Sequence, residues 1–385
     1  VNRISLLGGK KISNRIINPL VGVFVSRSTI HKLTNDSDRF DRNRFDSNFR
    51  FVELNQASHQ TGIPLYYFSD NDINFKNLTV RGTYYNKLKM TWERKTFPLP
   101  DVLYDRCGSV RWHTQEIRKL FSKLGIPSIN AQNYFDKWDI HLNLLEMEET
   151  RAHLPMTIRY CCQNDLKAFI MMYGKVYIKS VNGRRGKKVM RVTRIPNRGY
   201  QYSYYVNGLV VGTVRRFQDF IKTARPFFHD NDHVIIQQAI PLMQIGDRSV
   251  DFRAEVQRNG QGELEIVGIC ARIGHSQSPI TTHSEAYRFE EFFQDYLAYS
   301  EKETERLRNQ VEDFLVAVYH CMEKNYGPFG EIGIDFGIDE KEKIWFIECN
   351  AKSAKVSLKK AYDDKTLQRA FINPLEYARY IFNNR

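Results

Sequence analysis

The chain is 385 residues long, 42% hydrophobic and 26% charged, the composition of a globular protein with room for two or three domains. Its formal net charge of +13 calls for an anionic partner such as nucleotide phosphate, an acidic peptide or nucleic acid. There is no run of about 18 apolar residues and no charged-then-apolar leader, so no membrane partner and a cytosolic address are expected.

Six scattered cysteines (Cys107, Cys161, Cys162, Cys270, Cys321, Cys349) match neither a zinc spacing nor a disulfide framework, and read as small buried apolar residues. Aromatic residues are spread along the chain rather than clustered with basic ones. Zinc-finger, RRM and helix-turn-helix signatures are missing too, which argues against nucleic acid.

Residues 1–130 read as an α/β domain. Leu20 to Val25 is a buried-strand run, Phe51 to Thr61 a helix ended by Gly62, and Ile63 to Phe68 a second strand, an order that favours a parallel βαβ unit. Asp101 to Arg106 is a further strand, followed by a helix over about Thr114 to Leu124 that Gly125 closes. The basic, Asn-rich stretch from Asn35 to Arg50 reads as a loop or solvated helix. Arg106 and His113 follow a strand end, where open α/β sheets often bind ligands, but surface residues without a role are the better account of both.

Asp136 caps a helix from Lys137 to about His153, with Trp138, Leu142 and Leu145 as its buried stripe and Lys137 on its first turn. Lys175 to Ser180 (KVYIKS) is a strand leading into the loop VNGRRGKK. Lys179 and the amides around Gly183 and Gly186 suit a flap over phosphates, although a basic hairpin turn fits as well. Asn207-Gly208 joins the strands Tyr200 to Val206 and Leu209 to Val214 as a hairpin. His233 to Ile240 is a buried strand that includes Gln237, Gln238 and Ala239.

In Ser249 to Gln257, Phe252, Ala254 and Val256 alternate with Asp251, Arg253, Glu255 and Gln257, and the next strand, Leu264 to Arg272, ends on a second arginine. Arg253 and Arg272 can stabilise a phosphoryl group in transfer, or pair with Asp251 and Glu255 across the sheet. Helices are expected at about Glu285 to Tyr299 and Glu301 to Asn325, the second burying Val311, Leu315 and Val318, and a last amphipathic helix over Thr366 to Phe382.

The most informative stretch is Glu331 to Asn350, EIGIDFGIDEKEKIWFIECN. Period-two alternation sets Asp335 opposite the apolar face of Ile332, Ile334, Phe336 and Ile338. In the second run it sets Glu348 and Asn350 opposite Trp345, Ile347 and Cys349. A turn at Asp339 to Lys343 pairs the runs, so Asp335, Glu348 and Asn350 converge as hard oxygen donors of the kind Mg²⁺ takes, or simply line the wet face of a hairpin.

The order of these pieces resembles the ATP-grasp ligases, and in particular the YheC/YheD family associated with the endospore coat. The similar elements are DKW at Asp136 to Trp138, LPMT at Leu154 to Thr157, VYIKSVNGRRGKKV, IIQQAI, SVDFRAEVQ, GICARIG, and GPFGEIGIDFGID with IWFIECNAK. The resemblance implies a mixed α/β (α+β) protein: a pre-ATP-grasp α/β domain over 1–130, an N-lobe with a phosphate-binding flap over 131–240, and a C-lobe with the metal site over 241–385.

It further implies that Lys137 and Lys179, with the Gly183 and Gly186 flap, hold ATP phosphates, and that the backbone of Gln237, Gln238, Ala239 and Ile240 reads adenine. Arg253 and Arg272 would meet the γ-phosphate and acyl phosphate, and Asp335, Glu348 and Asn350 would hold Mg²⁺. Two positions depart from the family pattern: Lys-Pro before the flap is Lys179-Ser180, and Asn-x-Lys-Pro-Gly after the metal strand is Asn350-Ala351-Lys352-Ser353-Ala354.

The expected activity is an ATP- and Mg²⁺-dependent carboxylate–amine ligase, with a carboxylate donor and an amine acceptor for which the basic charge suits an acidic peptide. Two other readings remain open at this point: a coat assembly protein on an ATP-grasp scaffold, and a small-molecule kinase.

Overall fold

The apolar runs VGVF, LYYF and VLYD are too uniformly hydrophobic for a half-wet sheet, and all twelve of these positions are buried. In the computed structural model, described over residues 17–35, 49–109, 111–181, 189–205, 208–227, 234–276 and 285–385, they form the parallel core of the first of three sheets. Its elements are β1 (Val21–Phe24), α1 (Arg27–Asn35), α2 (Phe49–Thr61), β2 (Leu65–Phe68), β3 (Ile73–Asn74), β4 (Thr79–Asn86), β5 (Thr91–Pro98), β6 (Val102–Asp105) and α3 (Trp112–Lys123). β1 pairs in parallel with both β2 and β6, as the strand, helix, strand order requires.

Alternation divides the strands between two cores. Val21, Val23, Leu65, Tyr67, Val102 and Tyr104 pack under α2, while Phe24, Tyr66, Phe68 and Leu103 pack against Ile117 and Phe121 of α3. Gly62 and Gly125 close α2 and α3 with φ of 68° and 69°. The β4–β5 hairpin was not anticipated from the sequence. Much of the Asn35 to Arg50 stretch lies outside the described residues.

Next come α4 (Lys137–Glu146), α5 (Glu148–Arg151), β7 (Thr157–Arg159), α6 (Gln163–Tyr173), β8 (Lys175–Ser180), β9 (Val189–Ile195), β10 (Gly199–Tyr205), β11 (Leu209–Val214), α7 (Phe217–Ala224) and β12 (Val234–Gln238). The second sheet is antiparallel in the order β11-β10-β9-β8-β12-β7, with α6 and α7 on one face. The expected helix from Lys137 to His153 is in fact two, broken at Met147, and its buried stripe is Ile140, His141 and Leu144. Leu142 and Leu145 are 40% and 42% exposed. Apolar residues on both sides of this helix leave the periodicity ambiguous. Ile140 and Leu144 join the core shared with the long helix α9 described below, and that packing decides the matter.

The third sheet holds β13 (Gln244–Ile245), β14 (Arg248–Arg258), β15 (Leu264–Ile273), β16 (Glu285–Arg288), β17 (Glu331–Ile338) and β18 (Ile344–Asn350), in the order β16-β15-β14-β17-β18. Residues Glu285 to Arg288, expected in a helix, instead extend the sheet as β16. Helical structure begins only with α8 (Phe289–Glu291) and a π-helical segment at Phe292–Tyr296, whose Phe289, Phe292 and Phe293 enclose Phe252. α9 (Glu301–Tyr326) covers the apolar face and buries Val311, Leu315 and Val318 as expected.

Ser300 caps α9: its hydroxyl accepts from the Glu303 amide at 3.3 Å, and the Glu303 carboxylate accepts from the Ser300 amide at 2.9 Å. Replacing Ser300 with alanine is expected to cost about 1 kcal/mol, read as a lowered denaturant midpoint at unchanged slope.

α10 (Val356–Ala361) and α11 (Asp364–Asn383) end the chain. α11 turns back onto the first sheet, where Leu367, Phe371, Leu375 and Tyr377 complete the core under α2. Cys161 and Cys162 are exposed, against expectation, and the other four cysteines are buried. No described helix is long and apolar enough to cross a membrane.

Candidate active site

The β17–β18 hairpin is closed by Asp339, whose carboxylate accepts from the amides of Lys341 (2.9 Å) and Lys343 (3.0 Å) and from the Trp345 indole (2.9 Å). Along β17 the alternation runs as read: Ile332, Ile334, Phe336 and Ile338 enter the core under α9, and Asp335 faces the other way. On β18 the expected phase holds for only half of the strand. A bulge between Asp335 and Phe336 pairs Phe336 with Phe346 and Asp335 with Glu348, leaving Ile347 unopposed. Ile344 and Phe346 therefore join Cys349 in the core, and Trp345 and Ile347 do not. A single inserted residue reverses the face that every position before it takes.

Beyond the bulge, Asp335 lies opposite Glu348 and Gly333 opposite Asn350, so all three predicted oxygen donors share one face. The Asn350 amide donates to Glu348 Oε1 at 3.2 Å. β14 lies on the other flank of β17, with Arg253 opposite Asp335. Arg253 binds both Asp335 oxygens, through Nε to Oδ1 and through a second nitrogen to Oδ2 at 2.8 Å. Arg272 makes a bidentate pair with Asp251, two bonds of 2.7 Å, and also stands 3.4 Å from Asp335.

Of the two sequence readings for the arginines, the pairing with Asp251 is therefore present for Arg272, whereas Arg253 takes Asp335 and not Glu255. Burial alone would push the Asp335 carboxyl up, but the Arg253 and Arg272 guanidiniums outweigh it and hold the group below the ordinary range. Gly333 makes room for this: a Cβ there would come 2.8 Å from Arg253.

Two lysines close the arrangement from the other side. Asp136 caps α4 by accepting from Trp138 N (2.8 Å) and Asp139 N (3.1 Å), and this sets Lys137 on the first turn with Nζ 3.5 Å from Glu348. On β8, Lys179 shares a face with Tyr177 and hydrogen-bonds Gln237 of β12, whose amide donates to Thr157 at 3.0 Å. Desolvation lowers the Lys179 ammonium to a pKa of about 8; the Glu348 charge opposes this shift and the Lys137 charge adds to it. Both lysines and the hairpin are thus within electrostatic reach of one another.

Gln238 and Ala239 spend their amides on the carbonyls of Met156 (2.8 Å) and Lys175 (3.1 Å), so a ligand reading this strand through N–H groups meets the chain beyond them, at Ile240. Gly183 and Gly186 lie outside the described residues.

Among the described residues no three His, Cys, Asp or Glu side chains gather into a metal cluster. Asp335 and Glu348 supply two carboxylates, and a third protein donor has to be the Asn350 amide oxygen. Two carboxylates and an amide on adjacent strands are hard oxygen donors that suit Mg²⁺ shared with phosphates. A cation there would share Asp335 with Arg253 or displace it.

Sequence reading missed a second polar cluster, beside the first. Arg106, set aside as a surface residue, is only partly exposed: it binds Glu331 Oε1 and donates to the Ser353 carbonyl at 2.7 Å. Lys355 binds the other Glu331 oxygen, and Ser353 donates to Glu255. Asn130 donates to the carbonyls of Glu331 (3.0 Å) and Ala351 (2.6 Å), and Lys352 to that of Cys107 (2.6 Å). Glu331 stands four residues before Asp335 in the same period-two register, a signal that was available. His113 pairs with Asp70 at the surface and joins neither cluster.

The YheC/D like ATP-grasp family model matches residues 125–381. Endospore coat-associated protein YheD of Bacillus subtilis (strain 168) is 27% identical over 379 residues, covering 95% of this chain and 79% of its own. YheC of the same organism is 21% identical over 352 residues, covering 87% and 92%. In fold, the chain is similar to D-alanyl-alanine synthetase A from Vibrio cholerae, with a TM-score of 0.54, 12% identity, and coverage of 93% and 98%.

Proposed function

The chain belongs to the YheC/D like ATP-grasp family, and from that membership we propose that it is an ATP-dependent ligase joining a carboxylate to an amine. The observation that carries this reading is the convergence of Lys137, Lys179, Arg253 and Arg272 on the face that holds Asp335, Glu348 and Asn350. Four cations around two carboxylates and an amide suit a metal-bound triphosphate.

In this reading residues 131–240 and 241–385 are the two jaws and 1–130 the domain that flanks them. Lys137 and Lys179 hold the phosphates, and the strand end at Gln237 to Ile240 meets the base. Asp335, Glu348 and Asn350 would hold Mg²⁺, which supplies charge neutralisation on the transferring phosphoryl group. Arg253 and Arg272 orient that group, and the donor carboxylate attacks it in line to give an acyl phosphate. The amine then forms the C–N bond as phosphate leaves. No nucleophilic side chain takes part; catalysis is positioning and electrostatics. The names of the relatives suggest the spore coat as the cellular setting.

The test is incubation with ATP, Mg²⁺ and pools of carboxylic acids, amino acids and acidic peptides, followed by mass spectrometry. A product of acid plus amine minus water, with ADP and phosphate, is expected. Phosphate retained on a product would mean a kinase, and no turnover with any pool would leave a coat assembly protein.

Lys179 supplies a second, independent test. Its lowered pKa means that the free protein carries it partly neutral above pH about 8, while an unfolded chain keeps it charged up to 10.5. Stability from this group therefore rises with pH across that window, because the unfolded state binds more protons there. A triphosphate favours the charged form, so ATP binding near pH 9 should take up close to one proton, and affinity should fall as pH rises above about 8. Calorimetry in two buffers of different ionisation enthalpy reads the uptake. Lys179→Met should abolish it, and absence of uptake in the wild type would remove Lys179 from the phosphate site.

A further inference from the structure

The buried acidic residues on the polar face of the third sheet are matched to cations, with one exception. Asp251 has Arg272, Asp335 has Arg253 and Arg272, and Glu331 has Arg106 and Lys355. Glu255, 1% exposed, has no cation in direct ion-pair contact among the described residues, although the charges of Lys355 and Arg253 act on it from farther off without outweighing its burial. Its Oε1 accepts from the Ser353 hydroxyl, and its Oε2 has no hydrogen-bond partner among the described residues. A buried, unpaired carboxylate is destabilising unless a cation or donor reaches it.

Its neighbourhood is short of donors rather than acceptors. Gln257, two residues along the same face, also has an unpartnered Oε1 while its Nε2 donates to Ala370 at 2.9 Å. Asn373, one turn further along α11, has both side-chain atoms unpartnered. Among these three side chains, three acceptor atoms and one donor atom are without a partner among the described residues. A group with several N–H bonds and a positive charge would satisfy this set.

Resting on the ligase reading, we propose that Glu255 anchors the ammonium group of a primary-amine acceptor and takes the proton that this group sheds before its lone pair attacks the acyl phosphate and phosphate leaves. Glu255 follows Arg253 by one step of the pleat, about 7 Å along β14, and lies opposite Gly333, the residue between Glu331 and Asp335 on the polar face of β17. An amine held at Oε2 therefore lies next to the group that Arg253 orients. The turn Ala351 to Lys355 covers the site: Ser353 caps Oε1, and Lys355 takes φ of 56° to reach Glu331 beside it. This is the segment where the chain departs from the Pro-Gly of its family, and displacement of the turn is what admits the amine.

Two measurements on the full chain decide the proposal. In the first, the melting temperatures of wild type and Glu255→Gln are compared without ligand. The glutamine keeps the acceptor for Ser353 and removes the unpaired charge, so Tm should rise by about 2 °C or more. In the second, ethylammonium, glycinamide and lysine are added at ionic strength matched with sodium chloride. Each should raise the Tm of the wild type and leave that of Glu255→Gln unchanged. A lowered Tm in the variant would make Glu255 a structural counter-ion, and equal ammonium shifts in both proteins would put the amine elsewhere; either result overturns the proposal. The ligase reading is judged separately, by ATP-dependent hydroxamate formation when hydroxylamine replaces the amine in the wild-type reaction. Ammonium shifts that depend on Glu255, without hydroxamate from any acid, would keep the ammonium site and discard the ligase.

Discussion

Asp335→Asn and Glu348→Gln are each expected to lower ATP turnover by at least about 10²-fold, the scale on which loss of one preorganised electrostatic contact acts in a closed site. The isosteric changes matter because the two carboxylates differ in what else they hold. Asp335 is 5% exposed and neutralises Arg253 and part of Arg272, so alanine there would strand a buried guanidinium and confuse lost activity with lost stability. Glu348 is partly exposed, and its direct partners among the described residues are Lys137 and Asn350, so Glu348→Gln should leave Tm nearly unchanged. Turnover measured with Tm on the same samples separates the effects. Unchanged turnover in both variants would end the assignment of this face to the phosphates and their metal.

Glu331→Ala should unfold the protein more readily by about 3–5 kcal/mol, because it leaves the buried Lys355 and the largely buried Arg106 without their shared partner. Arg106 comes from the end of β6, Glu331 from the start of β17, and Lys355 from the turn before α10, so this carboxylate joins three parts of the chain. Burial alone would raise its pKa, but Lys355 and Arg106 outweigh that and hold it below the ordinary range. With the folded pKa lowered, its contribution is present above the ordinary carboxylate pKa and is lost as pH falls through the folded value. A urea midpoint for Glu331→Ala close to that of wild type at neutral pH would show that the cluster does not hold the parts together.

What could be read before any coordinates were at hand follows from how local each signal is. Strands buried on both faces announce themselves as near-continuous apolar runs, which is why β1, β2 and β6 were found within two residues of their ends, while β8 was found by its alternation. Asp335, Glu348 and Asn350 were legible because a two-residue period and a short turn suffice to bring them together. The phase of Trp345 and Ile347 was not, since a bulge is set by pairing across the hairpin and leaves no mark in composition. The stripe of α4 was misread for a similar reason: the helix offers apolar residues on several sides, and contact with α9 selects among them. Arg106, Glu331 and Lys355 are far apart in the chain, and nothing local in any one of them points to the other two.

The return of α11 to the first sheet has a consequence for biosynthesis. A translating ribosome emits β1, α2 and β2 well before the helix that seals them, so the second and third sheets have to be made before that surface is shielded from water. The nascent first sheet is consequently a natural client for chaperones, and a stop codon ahead of α11 would harm a part of the molecule that was synthesised correctly.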